Sequence, residues 1–198
     1  MMARILLLLL FVSCTALNAQ DVSERVLFSF QDGQAAGGWQ TVNDGVMGGR
    51  SDGRFTINAA RKMEFFGTLS LANNGGFASV RSRRKPLGLS YGDSIVIRAR
   101  GDGRVYSLNL YTPNRQTAFS YRASFRTLAN QWIEATIPID QFVATSFGRV
   151  VPNRPLDPRQ VNGIGIVLGD KRPGPFMLEV EAIRVRRSTK PPVISNSN

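Results

Sequence analysis

Beyond an apolar N-terminal run, the chain alternates apolar and polar residues in short segments separated by clusters of Gly, Asn, Asp and Pro. Successive side chains of a strand point to opposite faces, so this period of two predicts strands buried on one side. The pattern places strands at Val26 to Phe30, Arg54 to Asn58, Lys62 to Leu71 with a break at Gly67, Phe77 to Arg83 and Ser94 to Arg100. It places others at Arg104 to Tyr111, Thr117 to Phe125, Gln131 to Ile137, Gly163 to Leu168 and Phe176 to Val185. About ten strands without a long amphipathic helix predict an all-β fold of two packed sheets. Helical signals are brief. Asp157-Pro158 suits the start of a single turn, and Asp140-Gln141-Phe142 should tuck Phe142 against the end of the sandwich.

The N-terminus carries Arg4, then the apolar run Ile5 to Val12, then small or polar residues up to Ala19. That run is too short to cross a bilayer and lacks the Arg-rich amphipathic character of a mitochondrial presequence, so it reads as a secretory signal peptide cut after Ala19. An exported protein, periplasmic or extracellular, is expected. The alternative is the loose lipoprotein box Phe11-Val12-Ser13-Cys14, which would anchor the chain to lipid through Cys14. The expected organisation is a signal peptide over 1–19, one β-sandwich domain over 20–187 and a flexible tail over 188–198.

Cys14 is the only cysteine, so the domain itself has none to form a disulfide and must rely on packing. The chain has no histidine, which removes the commonest general base near neutral pH, the Ser-His-Asp arrangement and most catalytic zinc sites. The 14 acidic residues show no spacing that announces a catalytic pair. The Asp-Gly pairs at Asp32, Asp44, Asp52 and Asp102 lack the spacing of a cation-binding loop. No enzyme, cofactor or metal site is therefore expected. The net charge is +11, supplied mostly by arginine, whose planar fork suits carboxylate, sulfate or phosphate. An anionic partner is expected; the alternative is a soluble surface with no particular ligand.

One segment stands apart. Trp39 precedes Asn43, Asp44, Gly45, Met47, Gly48, Gly49 and Ser51, an aromatic anchor followed by a polar turn and paired glycines. Asn43-Asp44-Gly45 can form side-chain-to-backbone turns, and Gly48-Gly49 permits positive φ or close approach of another backbone. It reads either as a binding loop or as a folded loop closing one end of the sandwich, with Asp44 accepting backbone hydrogen bonds. The string from Trp39 to Ser51 resembles the hallmark of the complex I intermediate-associated protein 30 family. Further family-like segments follow in order: Phe66 to Ser70, Asn74-Gly75-Gly76-Phe77-Ala78-Ser79, Arg100-Gly101-Asp102-Gly103-Arg104, Trp132 with Ile137-Pro138-Ile139, and Ile164-Gly165-Ile166, Asp170-Lys171 and Gly174-Pro175-Phe176. The resemblance spans roughly residues 28 to 186. It implies a galactose-binding-like jelly roll and a chaperone role in assembling a membrane respiratory complex, in a mitochondrial setting from which the secretory leader departs. The matched binding candidates are Trp39, Asn43, Asp44, Met47, Gly48, Gly49, Ser51, Gly75, Gly76, Phe77, Arg100, Asp102 and Arg104.

Alternation also sorts the arginines by face. Arg98 and Arg100 lie opposite Ile95, Ile97 and Ala99; Arg122 lies opposite Phe119, Tyr121, Ala123 and Phe125; Arg81 and Arg83 lie opposite Ala78 and Val80. If these strands share a sheet, Arg81, Arg83, Arg98, Arg100 and Arg122 form one cationic patch for anionic lipid, acidic polysaccharide or an acidic protein region. The alternative is solubility and protection of sheet edges. The function expected first is a non-catalytic, chaperone-like binding protein with a membrane-associated protein partner. The second is a carbohydrate-binding module using Trp39, Tyr106, Tyr111 and Trp132 as stacking rings, against which these rings can equally be core. Nucleic acid ranks low, because a secretory leader places the domain where it is uncommon.

Overall fold

Alternating burial closes the chain into two antiparallel sheets in the computed structural model, which describes residues 22–32, 34–113 and 118–188. Thirteen strands build them: β1 (Val22–Ser29), β2 (Trp39–Thr41), β3 (Asp52–Ile57), β4 (Met63–Leu69), β5 (Ala78–Ser82), β6 (Asp93–Arg100), β7 (Val105–Tyr111), β8 (Phe119–Arg126), β9 (Trp132–Pro138), β10 (Val143–Ser146), β11 (Arg149–Val150), β12 (Gly163–Leu168) and β13 (Gly174–Ser188). The first sheet runs β3-β4-β13-β6-β9, with β1 also on β13; the second runs β11-β10-β8-β7-β12-β5-β2. The 15-residue β13 is the spine of the first sheet. It pairs with β6 along one edge and with β4 and then β1 along the other, with a register shift between Val180 and Ala182.

The inner faces meet in a core of aliphatic and aromatic side chains, among them the fully buried Phe65, Ile95, Ile97, Leu108, Ile164 and Ile166. Burial of such side chains contributes about 1.5–3 kcal/mol each. All ten expected strands are present, although Thr117 lies outside the described residues. Gly67 does not break its strand, since it pairs with both Gly53 and Phe176. Among the described residues the helical segments are single 3₁₀ turns. Asp157 caps the turn Pro158–Gln160 by accepting from Arg159 N at 3.1 Å, and Phe142 packs into the core behind Ile139–Gln141. The expected leader over 1–19, with Cys14, lies outside the described residues, as do 189–198 of the expected tail.

Candidate functional site

The hallmark loop is built around one buried carboxylate. Asp44 accepts from Ser51 N at 2.8 Å, Ser51 Oγ at 2.6 Å, Gly76 N at 2.6 Å and Phe77 N at 3.3 Å, which ties the loop to the Gly75-Gly76-Phe77 segment. Burial raises its pKa, but these donors outweigh burial and hold the carboxyl below its ordinary value. The two adjacent glycines have different reasons. Gly48 takes the left-handed conformation that ends the 3₁₀ turn, at φ +85°, whereas a Cβ on Gly49 would lie 2.3 Å from Asp44 Cγ. Asn43 donates to Gly53 O at 2.8 Å. The indole of Trp39 packs between Phe28 and Phe30. Of the loop's candidates, Met47 is the one whose large side chain projects outward, and Val46 beside it is likewise exposed.

The Arg100 to Arg104 segment is also a structural joint. Arg104, 5% exposed, forms a two-point pair with Asp170 at 2.7 and 3.0 Å and donates to Pro175 O at 3.1 Å. It also donates to Arg172 O. Hydrogen bonding to Asp170 raises the Arg104 guanidinium, while the Asp170 carboxyl, which burial pushes up, is brought below its ordinary value by Arg104. Asp102 accepts from Tyr106 Oη at 3.1 Å and Met177 N at 3.0 Å. The Tyr106 phenol is pushed far up, chiefly by burial. Arg100 pairs with Glu179 at 2.5 Å.

The single five-arginine patch is corrected. Arg98 and Arg100 lie on β6 of the first sheet, whereas Arg81 and Arg122 lie on β5 and β8 of the second, and Arg83 follows the end of β5. Alternation identifies a residue's face but not its sheet. The first sheet's outer cations are matched by carboxylates: Arg98 with Glu181 at 3.3 Å, Arg186 with Glu24 and Glu134 at 2.6 and 3.0 Å, and Arg184 with the same two acids. Trp132, on this face, is covered by Lys62, Arg98 and Arg100 at 4.5, 5.6 and 5.3 Å from its ring centre. Trp39 and Tyr106 belong to the core, so two of the four proposed stacking rings are unavailable, and cations flank a third, Trp132.

The second sheet's outer face bears a groove of about 650 Å³ between the hallmark loop and the β10–β11 hairpin. Arg81, Gly165, Asn109 and Arg122 form one rank across β5, β12, β7 and β8. Tyr111 lies on the same face, with the guanidinium carbons of Arg81 and Arg84 5.4 and 4.5 Å from its ring centre. Its buried hydroxyl has no hydrogen-bond partner among the described residues. Burial pushes the phenol up, against Arg81, the Asn109 side chain, Arg84 and Arg122. Arg149 and Lys171 complete a lining that contains no acidic residue, and Met47, Phe77 and Phe147 supply apolar walls. Gly75 and Gly76 also border it, so the two recognition segments meet the groove through their edges. Sequence reasoning named Arg81 and Arg122 but missed Arg84, Arg149 and Lys171, which sit at strand ends and in loops where alternation has no purchase. A smaller notch of about 340 Å³ is lined by loop residues and by Arg159 and Gln160 of the 3₁₀ turn, and there Arg159 already pairs with Asp157 at 2.9 Å.

The two-sheet architecture is shared with solved carbohydrate-binding modules. The family 11 module of a Clostridium thermocellum cellulase superposes with a TM-score of 0.57 over 82% of this chain and 94% of its own, at 13% identity. An agarase superposes with a TM-score of 0.58 over 83% of this chain and 24% of its own, at 11% identity. At such identity the likeness establishes the fold alone, a galactose-binding-like jelly-roll β-sandwich. Sequence relatives are more informative. "Complex I intermediate-associated protein 30, mitochondrial" of Mus musculus is 29% identical over 184 residues, 81% of this chain and 56% of that protein. The Drosophila melanogaster protein of the same name is 24% identical over 181 residues, 80% of this chain and 61% of that protein. The chain thus spans little more than half the length of these relatives. Their naming as mitochondrial overturns the exported, periplasmic or extracellular setting expected from the apolar leader. The sequence profile of the family described as complex I intermediate-associated protein 30 matches residues 28–180, which takes in both sheets and every motif from Trp39 to Phe176, and the chain belongs to that family.

Proposed function

We propose that this chain is a non-catalytic binding protein with a chaperone-like role in complex I assembly, and that its protein partner seats in the groove of the seven-stranded sheet. The observation that carries this reading is the contrast between the two outer faces. On the first sheet the cations are matched by Glu24, Glu134, Glu179 and Glu181; in the groove the cations have no ion pair among the described residues, and the Tyr111 hydroxyl has no partner. Exposed apolar side chains rim the groove, with Val46 74%, Met47 52% and Phe147 60% exposed. A polar centre with an apolar rim suits a protein partner. Its names among the relatives make a subunit of the membrane-bound complex the expected partner. A sugar-binding reading needs a free ring face, and the Tyr111 ring lies beneath two guanidiniums.

The test is site-specific photo-crosslinking in cells assembling complex I, with the photoreactive residue placed at Phe147 on the groove rim or at Met177 on the opposite sheet. Complex I subunits should be captured from position 147 and not from 177. Capture from 177 alone, or of no complex I subunit from either, would overturn the proposal.

A further inference from the structure

The groove has the attributes of a site built for negative charge. Among the described residues its lining carries Arg81, Arg84, Arg122, Arg149 and Lys171 and not one Asp or Glu. None of these five makes an ion pair among the described residues, although Arg98, Arg100, Arg104, Arg159, Arg184, Arg186 and Arg187 all do. Like charges held together on a concave surface repel, and each stays fully hydrated only at the surface. Desolvation, with the like charge of Arg81 adding to it, lowers the guanidinium pKa of both Arg84 and Arg122. The neutral groups are also arranged. Asn109 accepts from Arg122 Nε at 3.2 Å and donates to Ser120 Oγ at 3.0 Å, fixing that guanidinium on the floor. Tyr111, 5% exposed, lies over Gly165, where a Cβ would stand 3.0 Å from its hydroxyl oxygen. The glycine leaves room for the phenol of Tyr111, a residue that lines the groove and whose hydroxyl, near the Asn109 side chain, makes no well-formed hydrogen bond among the described residues.

Resting on the reading of the groove as the partner site, we propose that it receives an extended acidic segment of the partner protein, with one side-chain carboxylate seated among Arg81, Arg84 and Arg122 beside the Tyr111 hydroxyl. Guanidinium forks match a carboxylate in two-point geometry, and a phenol O–H can donate to it. The floor from β5 to β8 spans three inter-strand spacings, about 14 Å, which accommodates about four residues of extended peptide. The apolar walls at Met47, Phe77 and Phe147 would take the side chains alternating with the acids. Other anions fit less well. The cations Arg81 and Arg122 lie on the floor of a concavity, which a flat bilayer surface does not enter, and the ring needed to stack a base or sugar is capped by guanidiniums.

The test titrates the full chain with the fluorescent peptide Val-Glu-Val-Asp-Val-Glu and with its isostere Val-Gln-Val-Asn-Val-Gln, reading fluorescence polarisation at low and physiological salt. The acidic peptide should bind at least about tenfold more tightly than the isostere, the difference shrinking with salt. Arg81→Gln and Arg122→Gln should each weaken it by about tenfold or more, a loss expected of a desolvated charge pair. Tyr111→Phe should weaken it about fivefold with the fold intact by circular dichroism, and Arg98→Gln on the opposite sheet should change nothing. Equal binding of the two peptides, no binding of the acidic one, or competition at equal concentration by inorganic phosphate, hexagalacturonate or phosphatidylglycerol vesicles would each overturn the proposal. Failure here with complex I subunits still captured from position 147 would reject the acidic segment and leave the groove as the partner site; acidic-peptide binding without such capture would do the reverse.

Discussion

Asp44 shows how much a single residue of the hallmark carries. Its carboxylate is the shared acceptor for backbone N–H groups of Ser51, Gly76 and Phe77, so removing it orphans three donors at once, two of them buried. Each such donor costs about 1–3 kcal/mol, and Asp44→Ala should therefore lower unfolding free energy in urea by about 3–5 kcal/mol. The sign of its pH dependence follows from its lowered pKa. A carboxyl held below its unfolded value, about 3.9 for Asp, contributes stability that is complete above that value and lost as pH falls through the folded one. Asp170, lowered in the same sense by Arg104, adds to the loss. Urea midpoints of the parent should be flat from about pH 5 upward, where no histidine titrates, and should fall below about pH 4; Asp44→Asn should fall less steeply there. Tyr111 makes the opposite case. An unpartnered buried hydroxyl opposes folding, so Tyr111→Phe should leave the thermal midpoint unchanged or raise it, equivalent to at most about 1–2 kcal/mol, while the same change weakens ligand. A stability loss above about 1 kcal/mol would mean the hydroxyl has a partner within the fold.

At the scale of elements, the two kinds of arginine separate by what they hold together. Arg104, just ahead of β7, fastens the 169–175 segment through Asp170 and three backbone carbonyls. Arg104→Ala leaves a buried carboxylate uncompensated and should cost about 3–5 kcal/mol by chemical denaturation. Arg184, bridging Glu24 on β1 and Glu134 on β9 across the partly exposed outer ladder, should cost at most about 1 kcal/mol when replaced by Ala. The sequence distinguishes these poorly, because the alternating pattern takes both residues into strands although Arg104 lies just outside β7. What it shows clearly is the strands themselves, since core positions such as Ile95, Ile97 and Ile164, Ile166 recur with period two. It does not show β2, β10 or β11, which at three, four and two residues are too short to display a period. Nor does it show which strands are neighbours. Pairing is decided by long-range register, such as Gly165 opposite both Arg81 and Asn109, and alternation alone therefore does not reveal that a core lies between the sheets of Arg98 and Arg122. The hallmark loop was legible as a closed turn around Asp44, because its side chain and the adjacent glycines have local reasons. The groove was not, because its cations converge from β5, β8, β11 and two loops.

At the scale of the whole molecule, the excess positive charge is unevenly placed. The first sheet faces outward with interleaved arginines and glutamates that neutralise one another over a few ångströms, whereas the groove face of the second has only cations. Beyond a Debye length, about 10 Å at 0.1 M salt, a neutralised ladder contributes almost no field, so encounter with an anionic surface should be governed by the groove face. Net charge and charge placement then make different forecasts for cation-exchange retention. The double variants Arg81→Gln/Arg122→Gln and Arg98→Gln/Arg186→Gln each remove two positive charges, and a retention set by net charge alone would shift both equally. Placement requires the first variant to elute at clearly lower salt than the second, because only it removes cations from the face presented to the matrix. The second variant also exposes Glu181 and weakens the Glu24 contact, which makes its sheet more acidic, so a small shift there strengthens the case for orientation. Coincident elution would mean that the protein meets anions with no preferred face.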